Sequence, residues 1–394
     1  MAGRKDSLTV EKPFKGNAGE WGEAFVILHL LSHSELHNAD AHGRRIERER
    51  SRIRAIYRTE TSGAKVALLL VDGVSDEDDE EQVMVLVDGE SVRQVPVSAV
   101  ARASHELFGR IAAGEKGEHA DMELFLRSLG LESLKAASTK KADLQARVMD
   151  GFVGSLITRN YSVKTLISGE PSLSNGSGAC YIDYALSGFD EASAAAVNSI
   201  VTRAWVMDRT RAVLELCGNT SPAPVVVNRT FRRNLLKCHW RAPEAVGYTV
   251  LYGNTIKGKR LPDAIAKARE VNPAGWLADE LDDYEDAVRK YLWAVVFDMT
   301  PATPWMGPSQ VDGYLLATKD EEVLAYQVSR QRSFENYLLA HSSYDMPSTS
   351  RGARIGEVFE REGAWFFRLP CVVKYRTREY DGPASAMLEF DTLG

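Results

Sequence analysis

Residues 141–168 constrain the fold more than any other part of the chain. KADLQARVMD and LITRNYSVKTLIS are strand-like runs on either side of a turn at Gly151, which predicts the core of an antiparallel hairpin or meander. AKVALLLVDG and EQVMVLVDG read as two further strands flanking SDEDDEE (Ser75 to Glu81), an acidic surface turn. RRIERERSRIRAIYR reads as a charged, arginine-rich helix, the stretch from His105 to Leu134 is helical in character, and SGEPSLSNGSG (Ser168 to Gly178) is a loop by composition. A helix-rich middle runs from about Glu191 to Leu292. The last hundred residues return to strands in AVVFDM, GYLLAT, EVLAYQVSR and AWFFRLPCVVKYR, with a helical SFENYLLAH between. Mixed elements in mostly non-alternating order predict an α/β (α+β mixed) fold with a mixed central sheet and a helical insertion. The expected division is 1–190, an N-terminal helix and core; 191–292, a helix-rich basic insertion; and 293–394, a β-rich C-terminal region.

FKGNAGEWGEAFVILHLL, Phe14 to Leu31, predicts the first helix. Trp21, Phe25, Leu28 and Leu31 recur at helical spacing and prepare one face for burial. Asn17 with Glu20 three residues later matches a capping box, so Glu20 has a structural task available. Glu23 projects from nearly the same face as Glu20. Two acids at the edge of an apolar stripe are most often a solvated face. They gain chemical meaning only if the fold brings other polar groups to them.

With 394 residues, 44% hydrophobic and 26% charged, the chain has the make-up of an ordinary globular protein of two or three domains, or one domain with large insertions. No apolar run approaches the roughly 18 to 20 residues that span a bilayer, and MAGRKDSLTVEK lacks a signal-peptide core, so a cytoplasmic protein is expected. Cys180, Cys217, Cys238 and Cys371 form no CxxC pair, which argues against a zinc knuckle and against a disulfide framework. His29, His33 and His37 are spaced to share a helix edge, but without HExxH or a nearby cysteine they do not predict a metal site. The net charge is −7, yet the charges are segregated. Arg203, Arg209, Arg211, Arg229, Arg232, Arg233, Lys237 and Arg241 face only Asp208 and Glu215 in their stretch, and Lys257, Lys259 and Arg260 follow. One basic face on an acidic protein suits phosphate, although a solvated helix face has the same composition.

The chemistry-bearing set lies around the hairpin. Asp143 sits in its first run and Lys164 in its second, so adjacent pairing brings them near one another, and Ser162 shares a strand face with Lys164. An aspartate, a small polar residue and a lysine at one sheet edge, beside a helix glutamate, are the parts of a metal-dependent phosphodiesterase. Carboxylates hold a hard cation such as Mg2+, which stabilises developing phosphoryl charge, while the lysine orients water. A rival hairpin, DGYLLATKDEEVLAYQVSRQ, offers Asp312 after a tight turn with Gln327 and Ser329 on its strand. It ends in Arg330 where this chemistry wants lysine.

KGNAGEWGE, YSVKTLISGEPSLSNGSGA, and MTPATPW followed by SFENYLLAHSSYDMPSTSR resemble, in the same order, the signature blocks of HpaII-type restriction endonucleases, from about Phe14 to Arg376. The resemblance implies a Type II enzyme that cuts duplex DNA at CCGG with Mg2+, has a nuclease core similar to the PD-(D/E)xK folds, and is paired with a cognate DNA methyltransferase. It implies catalytic roles for Asp143 at the motif's aspartate, Lys164 at its lysine, and Glu20 or Glu23 at the glutamate of the first helix, with Asp143 and one of those glutamates as metal ligands. Ser162 departs from the pattern, which has Asp or Glu there, and leaves the number of metal ions open. Because CCGG is self-complementary, a homodimer or a monomer acting in two orientations would serve. Candidates for DNA contact are Arg232 and Arg233 in the basic stretch, Ser172, Ser174 and Asn175 on the loop after the catalytic strand, and Arg330, Arg332, Asn336, Ser348, Thr349 and Arg351 in the C-terminal block. Phosphate contact or turn capping suits each as well as base contact does.

Overall fold

The computed structural model describes residues 13–71, 80–115, 119–135, 142–150, 154–174, 178–297, 299–307, 311–327, 331–346 and 353–383. The chain forms two compact units, one of Met1–Ala39, Arg45–Ser168 and Gln310–Val328, the other of Asp40–Arg44, Gly169–Ser309 and Ser329–Gly394. The first unit opens with α1 (Ala18–His33), β1 (Glu35–Ala39), β2 (Arg45–Thr59), β3 (Lys65–Val71), β4 (Gln82–Val87), β5 (Glu90–Pro96), α2 (Val97–Ala112), α3 (Ala120–Ser128), β6 (Leu144–Asp150) and β7 (Ser155–Thr165). The second unit then takes the chain through β8 (Tyr181–Leu186), α4 (Glu191–Asn198), α5 (Trp205–Cys217), β9 (Ala223–Val226), α6 (Arg229–Cys238), α7 (Ala242–Gly253), α8 (Leu261–Val271) and α9 (Asp283–Val296). Strands β10 (Gly313–Ala317) and β11 (Val323–Gln327) belong to the first unit. The second is completed by α10 (Gln331–Ala340), β12 (Ser342–Asp345), β13 (Val358–Arg361), β14 (Ala364–Pro370) and β15 (Val372–Tyr375).

A nine-stranded mixed sheet organises the first unit, in the order β1, β11, β10, β7, β6, β2, β3, β4, β5. β10 runs parallel to β7 and β1 parallel to β11; the other neighbours are antiparallel. β1 also pairs with the first part of β2, so the ladder closes on itself there. Gly313 lies opposite Tyr161, and a Cβ at that glycine would come within 2.8 Å of the tyrosine ring. The missing side chain lets the buried ring lie against β10.

One face of this sheet is the core face. Ile56, Val66, Val85, Ala146, Val148, Tyr161 and Val163 bury against Phe25, Leu28 and Leu31 of α1, Leu107 of α2 and Leu126 of α3. Each fully buried leucine or phenylalanine contributes about 1.5–3 kcal/mol relative to exposure. The opposite face is only partly covered. Tyr57, Ala67, Leu86, Gln145 and Asn160, partners in successive strand pairs, form a half-exposed row across it.

The second unit carries a four-stranded sheet in the order β13, β14, β8, β9, a β12–β15 pair, and helices α4 to α10. Its Asp183 is fully buried yet paired with both Arg361 and Arg368 at 2.7 Å, which offsets the cost of burying the charge. The four cysteines are free. Among the described residues no helix is long and apolar enough to cross a membrane.

Two expected elements are corrected. RRIERERSRIRAIYR is strand, not helix, and lies in β2. Its Ile53 and Ile56 enter the core while Arg48, Arg50 and Arg52 alternate outward, and pairing with β1, β3 and β6 overrides any helical propensity. AVVFDM is not a strand either, because Ala294 to Val296 form the last turn of α9. A short apolar run cannot be assigned by periodicity alone when it is buried all round. His37 leaves the helix edge shared by His29 and His33, because α1 ends at His33 and His37 belongs to β1. The compact units also cut the chain differently from the three-part division, since β10 and β11 join the N-terminal sheet.

Candidate active site

The hairpin β6–β7 pairs Leu144 with Tyr161 and Asp150 with Ser155, and the ladder extends one residue further through Asp143 N–H to Tyr161 C=O at 3.0 Å. Asp143 therefore sits opposite Ser162. Its Oδ2 accepts from the Ser162 hydroxyl at 3.1 Å and from the Val163 amide at 2.7 Å. Both bonds fix one carboxylate oxygen and leave Oδ1 with no hydrogen bond among the described residues. Lys164 follows on β7, half-buried, two residues past Ser162.

Helix α1 delivers the glutamates. The Asn17 side chain accepts from the Gly19 and Glu20 amides, while Glu20 Oε2 accepts from the Asn17 amide at 2.8 Å, which completes the capping box. Glu20 Oε1 is ion-paired with Lys135 at 2.5 Å. Both oxygens of Glu20 are thus engaged. Glu23, one turn on, makes no hydrogen bond or ion pair among the described residues. Burial and then the like charge of Asp143 push its carboxyl up to about 7, against the pull of Lys164 and Arg58.

Gly22 explains the close approach. A Cβ there would lie 2.6 Å from Cγ2 of Thr165, so only glycine lets α1 reach β7 beside Lys164. Arg58 was not singled out in the sequence and carries no motif signal, since it is one arginine of many in β2. Its guanidinium is buried at 2.7 Å from the fully buried Glu60, donates to Ser133 C=O, and lies within electrostatic reach of Glu23. Among the described residues no group of three or more His, Cys, Asp or Glu side chains is arranged around a common metal position. The cluster holds two available carboxylates, Glu23 and Asp143, with a lysine.

Asp312, the rival aspartate, is tied to β7. Its Oδ2 accepts from the Asn160 amide at 2.8 Å and from Asn160 Nδ2 at 3.2 Å.

The remaining candidates lie in the second unit. Ser172 donates to Ser174 C=O at 2.6 Å, and the buried Ser174 hydroxyl accepts from Val373 N–H at 2.8 Å, so these serines hold their loop to β15. Asn336 is buried and accepts from Arg289 at 2.5 Å, which turns its amide inward and away from any base. Arg332 is exposed, with Glu335 at 3.7 Å. Arg232 and Arg233 are exposed on α6. Three other cations of the basic stretches are engaged internally: Arg209 is bonded to three backbone carbonyls, Arg241 is paired with Glu280 and Asp283, and Lys259 donates to Asn254. Asn175, Arg330, Ser348, Thr349 and Arg351 lie outside the described residues.

The family model described as HpaII restriction endonuclease matches residues 17–375. A curated relative, the Type II restriction enzyme HpaII of Haemophilus parainfluenzae, is 24% identical over 367 residues, which covers 92% of this chain and 99% of the relative. No solved structure matches the chain.

Proposed function

The chain belongs to the HpaII restriction endonuclease family of Type II restriction enzymes, and on that premise we propose that it hydrolyses duplex DNA at CCGG in a Mg2+-dependent reaction. The observation that carries the mechanism is the meeting of Glu23, Asp143 and Lys164, with Glu23 held near neutrality by burial and by Asp143. Two hard oxygen donors, one of them without a hydrogen-bond partner among the described residues, suit a hard divalent cation, so Glu23 and Asp143 would hold Mg2+. When bound, that ion supplies charge against the developing phosphoryl negative charge and lowers the pKa of a bound water. Ser162 and the Val163 amide orient Asp143 through its Oδ2. Lys164 orients the attacking water or neutralises charge on the phosphate, and Arg58, anchored by Glu60, adds a fixed positive charge beside Glu23.

The core would be of the PD-(D/E)xK kind, with Ser162 at the position of the second acid. Arg232, Arg233 and Arg332 are proposed as DNA contacts, and a companion methyltransferase would protect the host's own sites. One observation favours a different reading, a DNA-binding module without catalysis: the cluster has two available acids where the motif has three. Supercoiled plasmid incubated with Mg2+ separates the two. Discrete fragments whose ends sequence to CCGG, lost with EDTA, are expected. Intact plasmid bound by the protein would overturn the nuclease reading, and ends at another sequence would overturn CCGG.

A further inference from the structure

The half-exposed face of the nine-stranded sheet contains a cavity of about 380 Å3 that reaches Asp143. Its lining includes Tyr57, Ala67, Leu86, Gln145 and Asn160, the whole transverse row on that face, with Lys65 beside them. Asp143 is two residues from Gln145 along one extended strand, and so belongs to the same face. The cavity thus adjoins the oxygen-donor cluster without being part of it.

Gln145 is oriented by a relay of amides. Gln145 Nε2 donates to Asn160 Oδ1 at 2.9 Å, and Asn160 Nδ2 donates to Asp312 Oδ2 at 3.2 Å. A carboxylate only accepts, which determines the sense of the Asn160 amide and, through it, that of Gln145. The remaining N–H and the carbonyl oxygen of Gln145 then present one donor beside one acceptor. A volume of this size lies at the small end of ligand pockets, roughly 300–1,000 Å3, and takes one unstacked nucleotide, not a stacked pair.

We propose that this cavity receives a single amino-bearing nucleobase of the bound DNA, cytosine under the CCGG reading, and that Gln145, oriented by Asn160 and Asp312, reads its edge. Such a base offers a donor next to an acceptor, the complement of the amide that Gln145 presents. Tyr57 supplies a ring for the base face, and the exposed Lys65 a cation for its phosphate. The inference rests on the DNA-cleaving reading above. It also gives Asp312 a task, that of a positioning residue outside the catalytic cluster.

The test measures duplex binding by fluorescence anisotropy with Ca2+ in place of Mg2+. It uses the sequence at which the wild-type protein cuts plasmid and each of its single-base-pair variants. Gln145→Ala is expected to weaken the cognate duplex about ten- to a hundredfold and non-cognate duplexes far less, with the lost discrimination confined to one base position. Asp312→Asn is expected to lose part of the discrimination at that same position, which a merely structural role would not select. Gln145→Glu, close in shape, guards against misfolding and should show the same positional loss. Unchanged discrimination, or equal weakening on every duplex, in folded variants overturns the inference and leaves the nuclease reading standing. A wild-type protein that neither cuts nor discriminates overturns both.

Discussion

Glu20 uses both carboxylate oxygens on the cap and on Lys135, whereas Glu23, one turn later, is half-buried beside Asp143 with no hydrogen bond of its own among the described residues. The two acids therefore respond differently to substitution. Glu20→Ala should lower stability by about 0.5–2 kcal/mol through the lost cap. Glu23→Gln should do the reverse in metal-free buffer. The folded pKa of about 7 lies above the ordinary 4.5, so the protonated form is the one the fold favours. The contribution is whole below pH 4.5 and is lost as pH rises through 7. At pH 8 with EDTA, Glu23→Gln is expected to be more stable than wild type by about 1–3 kcal/mol, with the difference vanishing towards pH 4.5, whereas in Mg2+ buffer its cleavage is abolished. Thermal melts at the two pH values check this, and an equal difference at both would remove buried ionisation as the cause. At Asp143 the expectation concerns chemistry alone. Asp143→Asn can still accept from Ser162 and Val163 through its amide oxygen, so folding and DNA binding persist and Mg2+-dependent cleavage disappears. Ser162→Ala, which deletes one bond to that carboxylate, costs about 1 kcal/mol of positioning and slows cleavage only a few-fold. Single-turnover rates separate the two, and full activity in Asp143→Asn would refute the site.

At the scale of elements, the helix–strand contact between α1 and β7 decides whether Glu23 and Lys164 meet. Gly22 lies at that contact, with the Thr165 side chain 2.6 Å from where a Cβ would stand. Gly22→Ala should force the helix away from the strand, destabilising the protein by about 1–3 kcal/mol and slowing cleavage beyond what the lost stability explains. Adding Thr165→Gly removes the obstructing methyl, hydroxyl and Cβ, all within 2.9 Å of that position, and should restore part of the cleavage. If the double variant is no better than Gly22→Ala, the contact is not what positions the helix.

At the scale of the whole molecule, net charge is a poor guide and accessible charge a better one. The chain carries −7, and the stretch from Arg203 to Arg241 is rich in arginine, yet Arg209 and Arg241 are committed to internal partners. Arg232 and Arg233 are exposed on α6 and available to phosphates. Charge reversal of both should weaken binding to all duplexes alike and flatten the log–log salt dependence by about one unit per lost contact. Titrations at several salt concentrations test it, and an unchanged slope would exclude this surface.

The sequence by itself determined the local parts: the capped start of α1, the two strand runs that pair as β6 and β7, and the helical middle; that α1 is buried nearly all round, and that Asp143 lies opposite Ser162, came only with the packed sheet. Caps, turns and periodicity act over a few residues, so the chain states them directly. Tertiary structure alone decided that the arginine-rich run is a strand, because its hydrogen bonds go to the neighbouring β1 and β3 and to β6, far along the chain. It also decided that residues 313–317 lie parallel to β7, that Asp312 anchors Asn160, that Ser174 and Asn336 face inward, and that Arg58 stands by Glu23. Each of these depends on burial and on pairing between distant segments. Desolvation, the largest influence on Glu23, is a property of the packed surroundings that no spacing of letters encodes.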